Sequence, residues 1–209
     1  MSAATVIDAA AGEGAAPRGV GGPACAAQGA TGGDDGWRAE LRAIAQLLSY
    51  PDECWRSELG EASRFAQGLA DEGARRAIGD FVDEALAQDG TAFEQRYVEA
   101  FDFGKQTSLN LTARGRSDAA QQRADLFAYS VYFKEAGYEP GDETPDHLPE
   151  LLELASVVDA PQAALVLRGC RDDLGLLVRA LDDADLGAYA ALVRRVMTIG
   201  EEIGREEPR

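Results

Sequence analysis

From Trp37 to the end of the chain, large apolar residues recur at three- and four-residue spacing, and no stretch of useful length alternates with a period of two. That pattern writes one buried stripe along each helix and leaves nothing from which to build a sheet. Trp37, Leu41, Ile44, Leu47 and Leu48 open the series, which stops at Tyr50-Pro51, where proline disfavours further helix. A second run covers 71–88 through Ile78, Phe81, Val82 and Leu86. Thr91-Ala92-Phe93-Glu94 fits a capping box, Phe93, Tyr97 and Phe101 then follow four apart, and Gly104 is placed to end that helix. Further helices are predicted over 118–136, with Ala120, Ala124, Phe127, Val131 and Tyr132 inward, and from Leu148 through Leu154. The last two span 161–182, through Leu165, Leu167, Leu174 and Leu177, and 186–199. The fold class is all-α: about seven helices in one compact bundle over 37–209.

The first 36 residues differ in kind. They hold 11 Ala and 9 Gly, no aromatic residue, and only Val6, Ile7 and Val20 as large aliphatics. Such a segment buries too little apolar surface to offset the entropy of ordering it, so a disordered tail is expected over 1–36. It carries no basic region followed by a long apolar run, and nowhere do ~20 consecutive apolar residues occur, the length a membrane span needs. The expectation is a soluble cytoplasmic protein without direct membrane insertion.

Charge and chemistry-bearing residues exclude more than they suggest. Thirty-seven acids against 20 bases give a formal charge of −17, which repels phosphate backbones and anionic lipid and favours cationic partners. Nucleic acid is therefore not an expected partner. Cysteines stand at 25, 54 and 170, with no C-x-x-C pair, and the single histidine, His147, rules out multi-histidine metal sites. No G-x-S-x-G elbow accompanies that histidine. Gly104-Lys105 lacks the earlier glycine of a phosphate loop, its place being taken by Glu99. Asp182-Asp183-Ala184-Asp185 lacks calcium-loop spacing and reads as a turn between helices. No cofactor and no catalytic residue is expected.

One segment stands out: Glu143-Thr144-Pro145-Asp146-His147-Leu148-Pro149. Asp146 can cap the following helix, and Pro149 falls in the first turn, where its missing N–H does no harm. Two readings fit. The segment is a cap alone, or His147 and its flanking acids project from a helix amino terminus towards a groove, as a proton-sensitive donor set.

Glu143-x-Pro145-Asp146-His147 resembles the signature of the redox-enzyme maturation chaperones, the family of the trimethylamine-oxide and dimethyl-sulfoxide reductase chaperones. Pro145 through Glu153, read as PDHLPELLE, is similar to the nitrate reductase (NarJ-type) branch. Leu47-Leu48-Ser49-Tyr50-Pro51-Asp52 resembles that branch's first-helix ending. Tyr97-Val98-x-x-Phe101-Asp102, with Ser108-Leu109-x-Leu111 behind it, resembles its central motif. The likeness covers 40–155, and the leucine that often precedes the proline is Thr144 here.

The resemblance implies an all-helical cytoplasmic chaperone without turnover. Its partner would be the apo catalytic subunit of a respiratory nitrate reductase, held by its amino-terminal segment until the molybdenum cofactor is inserted and membrane docking follows. Molybdenum cofactor delivery proteins are further implied partners. On these motifs Asp146 and His147 would contact the peptide, with Glu143 as a second acid, while Tyr97, Phe101 and Asp102 line or support the groove. Plain core packing accounts equally for Tyr97 and Phe101. Clients of the chlorate, selenate or dimethyl-sulfide type, a helical adaptor for a non-redox partner, and a hydrolase using His147 are the alternatives.

Overall fold

Aspartates set the helix starts. Asp52 accepts from Trp55 N, Asp71 from Ala74 N, Asp89 from Thr91 N and Ala92 N, and Asp159 from Gln162 N. Each satisfies amide groups that the first turn leaves without a helical partner, and each carboxylate faces the positive end of its helix. Part of the acidity is thus local architecture. The capping-box expectation at Thr91 shifts accordingly: Asp89, two residues earlier, caps that helix.

A computed structural model describes residues 36–114, 119–141 and 143–206; the tail expected over 1–36 lies outside them apart from Gly36. Among the described residues the chain forms nine α-helices and no strands. They are α1 (Gly36–Leu47), α2 (Glu53–Gly68), α3 (Glu72–Ala87), α4 (Gly90–Phe101), α5 (Ala119–Ala136), α6 (Leu148–Val157), α7 (Ala160–Gly169), α8 (Arg171–Asp183) and α9 (Gly187–Glu206). A 3-10 turn, Leu111–Ala113, lies between α4 and α5. No helix among the described residues is long and apolar enough to cross a membrane.

The all-α class holds, with two helices more than the periodicity predicts. The segment after Pro51, which carries no clear apolar period, is α2, and the single helix expected over 161–182 breaks at Cys170, which leaves helical geometry at φ −95°, ψ 1°. Burial pushes the Cys170 thiol up to about 12, so it stays protonated and unreactive. A Cβ on Gly169 would collide with the Tyr132 hydroxyl, so this joint is where α5 leans on the body.

α9, the longest helix, is the hub, packing against α1, α3, α7 and α8, while α1 also lies along α6. Leu41, Ile44 and Leu48 meet Leu151, Leu152, Val193 and Val196 in one continuous core. Across it, Arg195 of α9 donates through Nε to Glu40 of α1 at 2.7 Å, both side chains buried. Trp55, Phe81, Phe93 and Tyr189 add an aromatic cluster that joins α2, α3, α4 and α9.

α5 departs from its predicted orientation. Tyr129 and Phe133 are its buried residues, whereas Ala120 and Ala124 face outward and Phe127 is 71% exposed. The Tyr129 hydroxyl donates to Asp173 Oδ2 at 2.8 Å, and that bond to α8 sets the rotation of the helix. Leu86 and Leu165, also predicted inward, are exposed.

Candidate functional site

Tyr97 and Phe101 lie one turn apart on the inner face of α4, rings 4.8 Å apart and both buried. The Tyr97 hydroxyl donates to Leu48 O at 2.9 Å, satisfying a carbonyl where α1 gives way to Ser49-Tyr50-Pro51. Tyr50 sets its ring edge-on to Tyr97 at 5.7 Å and donates its hydroxyl to the Glu94 carboxylate. Two of the sequence motifs, 47–52 and 97–102, therefore pack on each other. Burial, then the Asp102 and Glu143 carboxylates, raise the Tyr97 phenol far above its usual range. The acids of two separate loops thus flank one ring. Both carboxylates are exposed; beside them Phe103 is 78% exposed and Tyr50 46%.

After α4 the chain turns back sharply. The Thr107 hydroxyl donates to Ala100 O, and a Cβ on Gly104 would collide with that same carbonyl. Asp102, not Gly104, occupies the helix end, and Gly104 is required for this close approach. The turn delivers residues 108–114 to the start of α6, where Asn110 and His147 form an antiparallel bridge. Leu111 N donates to Asp146 O and Leu148 N to Leu109 O, each at 3.0 Å. The central motif and the 143–149 motif are joined backbone to backbone.

Asp146 faces inward. It is 2% exposed, and Oδ2 accepts from Thr112 N at 3.0 Å and Thr112 Oγ1 at 2.7 Å. Oδ1 accepts from the Thr144 hydroxyl at 2.5 Å. The predicted cap is thereby corrected: His147 is the N-cap residue of α6, without a side-chain cap bond, and Asp146 instead caps the Thr112 amide across the loop. Its two remaining donors are threonine hydroxyls, and Thr112 was not singled out by its sequence context. Tyr50 and Phe103 were likewise missed as exposed aromatics, although Tyr50 stands within the Leu47–Asp52 motif.

His147 is half-buried, with Nδ1 enclosed and without a hydrogen-bond partner. Burial holds its pKa below the ordinary 6.5, while Glu143, Glu150 and Asp146 oppose that shift. The folded chain therefore carries a neutral imidazole at pH 7. Because the unfolded chain binds this proton more readily, His147 disfavours the folded state as pH falls below 6.5 and is without effect above it. Titration of the sole histidine by NMR is expected to give a midpoint below 6.5; a midpoint above it would contradict the enclosed ring.

Among the described residues no group of His, Cys, Asp or Glu is arranged to hold a metal ion. The face presented to solvent is two aromatic rings, two carboxylates and a neutral imidazole.

No protein-family model matches the chain. It is 29% identical over 166 residues to the probable nitrate reductase molybdenum cofactor assembly chaperone NarJ of Bacillus subtilis, covering 79% of this chain and 90% of that protein. Against the nitrate reductase molybdenum cofactor assembly chaperone NarJ of Escherichia coli K12 the identity is 32% over 160 residues, 73% of this chain and 66% of the other. The nitrate reductase-like protein NarX of Mycobacterium tuberculosis H37Rv is 30% identical over 171 residues, which span 81% of this chain and 26% of that longer protein. With the three motifs meeting in one all-helical body and these relatives matching across most of its length, the chain belongs to the NarJ-type nitrate reductase molybdenum cofactor assembly chaperones.

Proposed function

We propose that this chain holds the amino-terminal segment of the apo catalytic subunit of a respiratory nitrate reductase in the cytoplasm. It does so while the molybdenum cofactor is inserted and before the enzyme docks at the membrane. The observation that carries this reading is the face formed by Tyr50, Phe103, Asp102 and Glu143 beside His147. Exposed aromatic rings supply apolar contact, and the adjoining carboxylates favour a cationic segment. The −17 charge draws such a segment in from solution and screens with salt. The chaperone works without turnover, and cofactor delivery proteins meet the same complex while the client is held.

Calorimetry with a peptide copying the first residues of the catalytic subunit tests this. Micromolar or tighter binding is expected, about −8 kcal/mol, weakening as salt is raised. Glu143→Gln combined with Asp102→Asn should lower the affinity several-fold while leaving the helical spectrum unchanged. An absence of binding, together with full nitrate reductase activity in cells lacking the protein, would overturn the reading.

A further inference from the structure

Asp146 lies in the middle of the segment that suggests peptide contact, yet its carboxylate is occupied entirely from within. Oδ2 takes both donors of Thr112, Oδ1 takes the Thr144 hydroxyl, and almost none of the residue reaches solvent. Thr112 stands two residues after Asn110, and Asp146 directly precedes His147; Asn110 and His147 are the two halves of the antiparallel bridge. Buried Leu109 and Leu111 fix the loop on either side of Asn110. A displacement at the Thr112–Asp146 contact therefore moves the backbone that carries the imidazole.

We propose that Thr112 and Asp146 form a buried latch that positions His147 for the client segment, with Thr112 the positioning residue and Asp146 touching no client atom. The inference rests on the peptide-holding reading above and adds the residue that sets the geometry of its site. Three hydrogen bonds converging on one buried carboxyl group fix its orientation, which suits a device that must hold a loop rather than a ligand. Thr144 completes the latch by donating its hydroxyl to the other carboxylate oxygen.

Three variants separate positioning from direct contact. Thr112→Val keeps the shape and the amide donor but removes the hydroxyl; Thr112→Ser restores the hydroxyl. Asp146→Asn removes the charge yet can still accept from Thr112 through its oxygen and donate its amide to Thr144. Affinity for the catalytic-subunit peptide should fall about tenfold in Thr112→Val, as expected when a buried acceptor loses a partner. It should return to within about threefold of wild type in Thr112→Ser and stay within about threefold in Asp146→Asn, because a neutral amide preserves the geometry. In the free protein, the NMR signals of the single imidazole should shift in Thr112→Val and return in Thr112→Ser, with helicity unchanged.

A tenfold loss in Asp146→Asn with unshifted imidazole signals would show that the charge meets the client directly and would overturn the latch. Wild-type affinity in Thr112→Val with an unshifted imidazole would overturn it as well. Failure of the wild-type chain to bind the peptide would remove the chaperone reading instead. The free-protein imidazole signals would then decide the latch: shifted in Val and restored in Ser it stands, unshifted in Val it falls.

Discussion

Arg195→Ala is expected to lower the unfolding free energy by about 3–5 kcal/mol, the loss typical when one partner of a buried ion pair is removed. Arg195 is enclosed by carboxylates from three elements. Glu40 accepts at 2.7 Å from α1, Glu202 at 3.2 Å from the next turns of α9, and Asp71 lies 3.6 Å away at the start of α3. Burial opposes the guanidinium charge, and the Glu40 and Glu202 bonds more than restore it. Removing Arg195 strands Glu40 as a buried carboxylate with no cation, and that orphan dominates the loss. Urea denaturation of the protein measures it through the midpoint at unchanged slope. Glu40→Met combined with Arg195→Met should recover most of the stability, since apolar groups of similar volume avoid desolvating charge. A single-variant loss below about 1 kcal/mol would mean the pair behaves as a solvated surface bridge.

Phe81→Ala should cost about 3–5 kcal/mol through lost transfer energy and the cavity left behind. Its ring meets Tyr189 edge-on at 4.9 Å, Phe93 at 6.2 Å and Trp55 at 6.4 Å, so four helices lose a shared contact at once. Thermal unfolding followed by circular dichroism should drop by about 10 °C, at 2–4 °C per kcal/mol for a domain of this size. Phe81→Leu should retain most of that, because it conserves much of the volume. A shift under about 3 °C for the alanine variant would show that the site collapses around the gap. Tyr189 also packs on Phe101 at 4.8 Å, so loosening this cluster reaches the inner side of α4.

Helices with one strong apolar stripe were legible from spacing alone. α1, α3 and α9 bury Leu41 and Ile44, Ile78 and Phe81, and Val196 and Ile199 as their periodicity predicts. α2 was missed because its inner face is Trp55, Leu59 and Ala66, interrupted outside by Ser57, Gly60 and Ser63, which carry little helical signal. Its readable sign was Asp52, an N-cap following a proline. α5 crowds Leu126, Phe127, Tyr129, Val131, Tyr132 and Phe133 into eight residues, so apolar groups surround the axis and periodicity selects no face. A polar bond to Asp173, 44 residues away, made the choice.

The site was legible as motifs and opaque as geometry. Local rules placed Asp146 at a helix cap because its neighbours are a proline and an apolar helix start. Its actual donor, Thr112, lies 34 residues upstream, and no local pattern links the two. Tyr97 and Phe101 prove to be core, as their spacing allowed, while Asp102 and Glu143 are exposed.

The pairing of α1 with α6 and α9 has a consequence for how the chain is made. Glu40 waits 155 residues for Arg195, and the surface that covers Leu41 and Ile44 is translated late. A nascent chain emerging from the ribosome therefore keeps α1 greasy and unshielded until α6 and α9 have been made, and closing that long loop carries an entropic cost. Over that interval the stripe of α1 is open to any other greasy surface, including a second nascent copy of this chain.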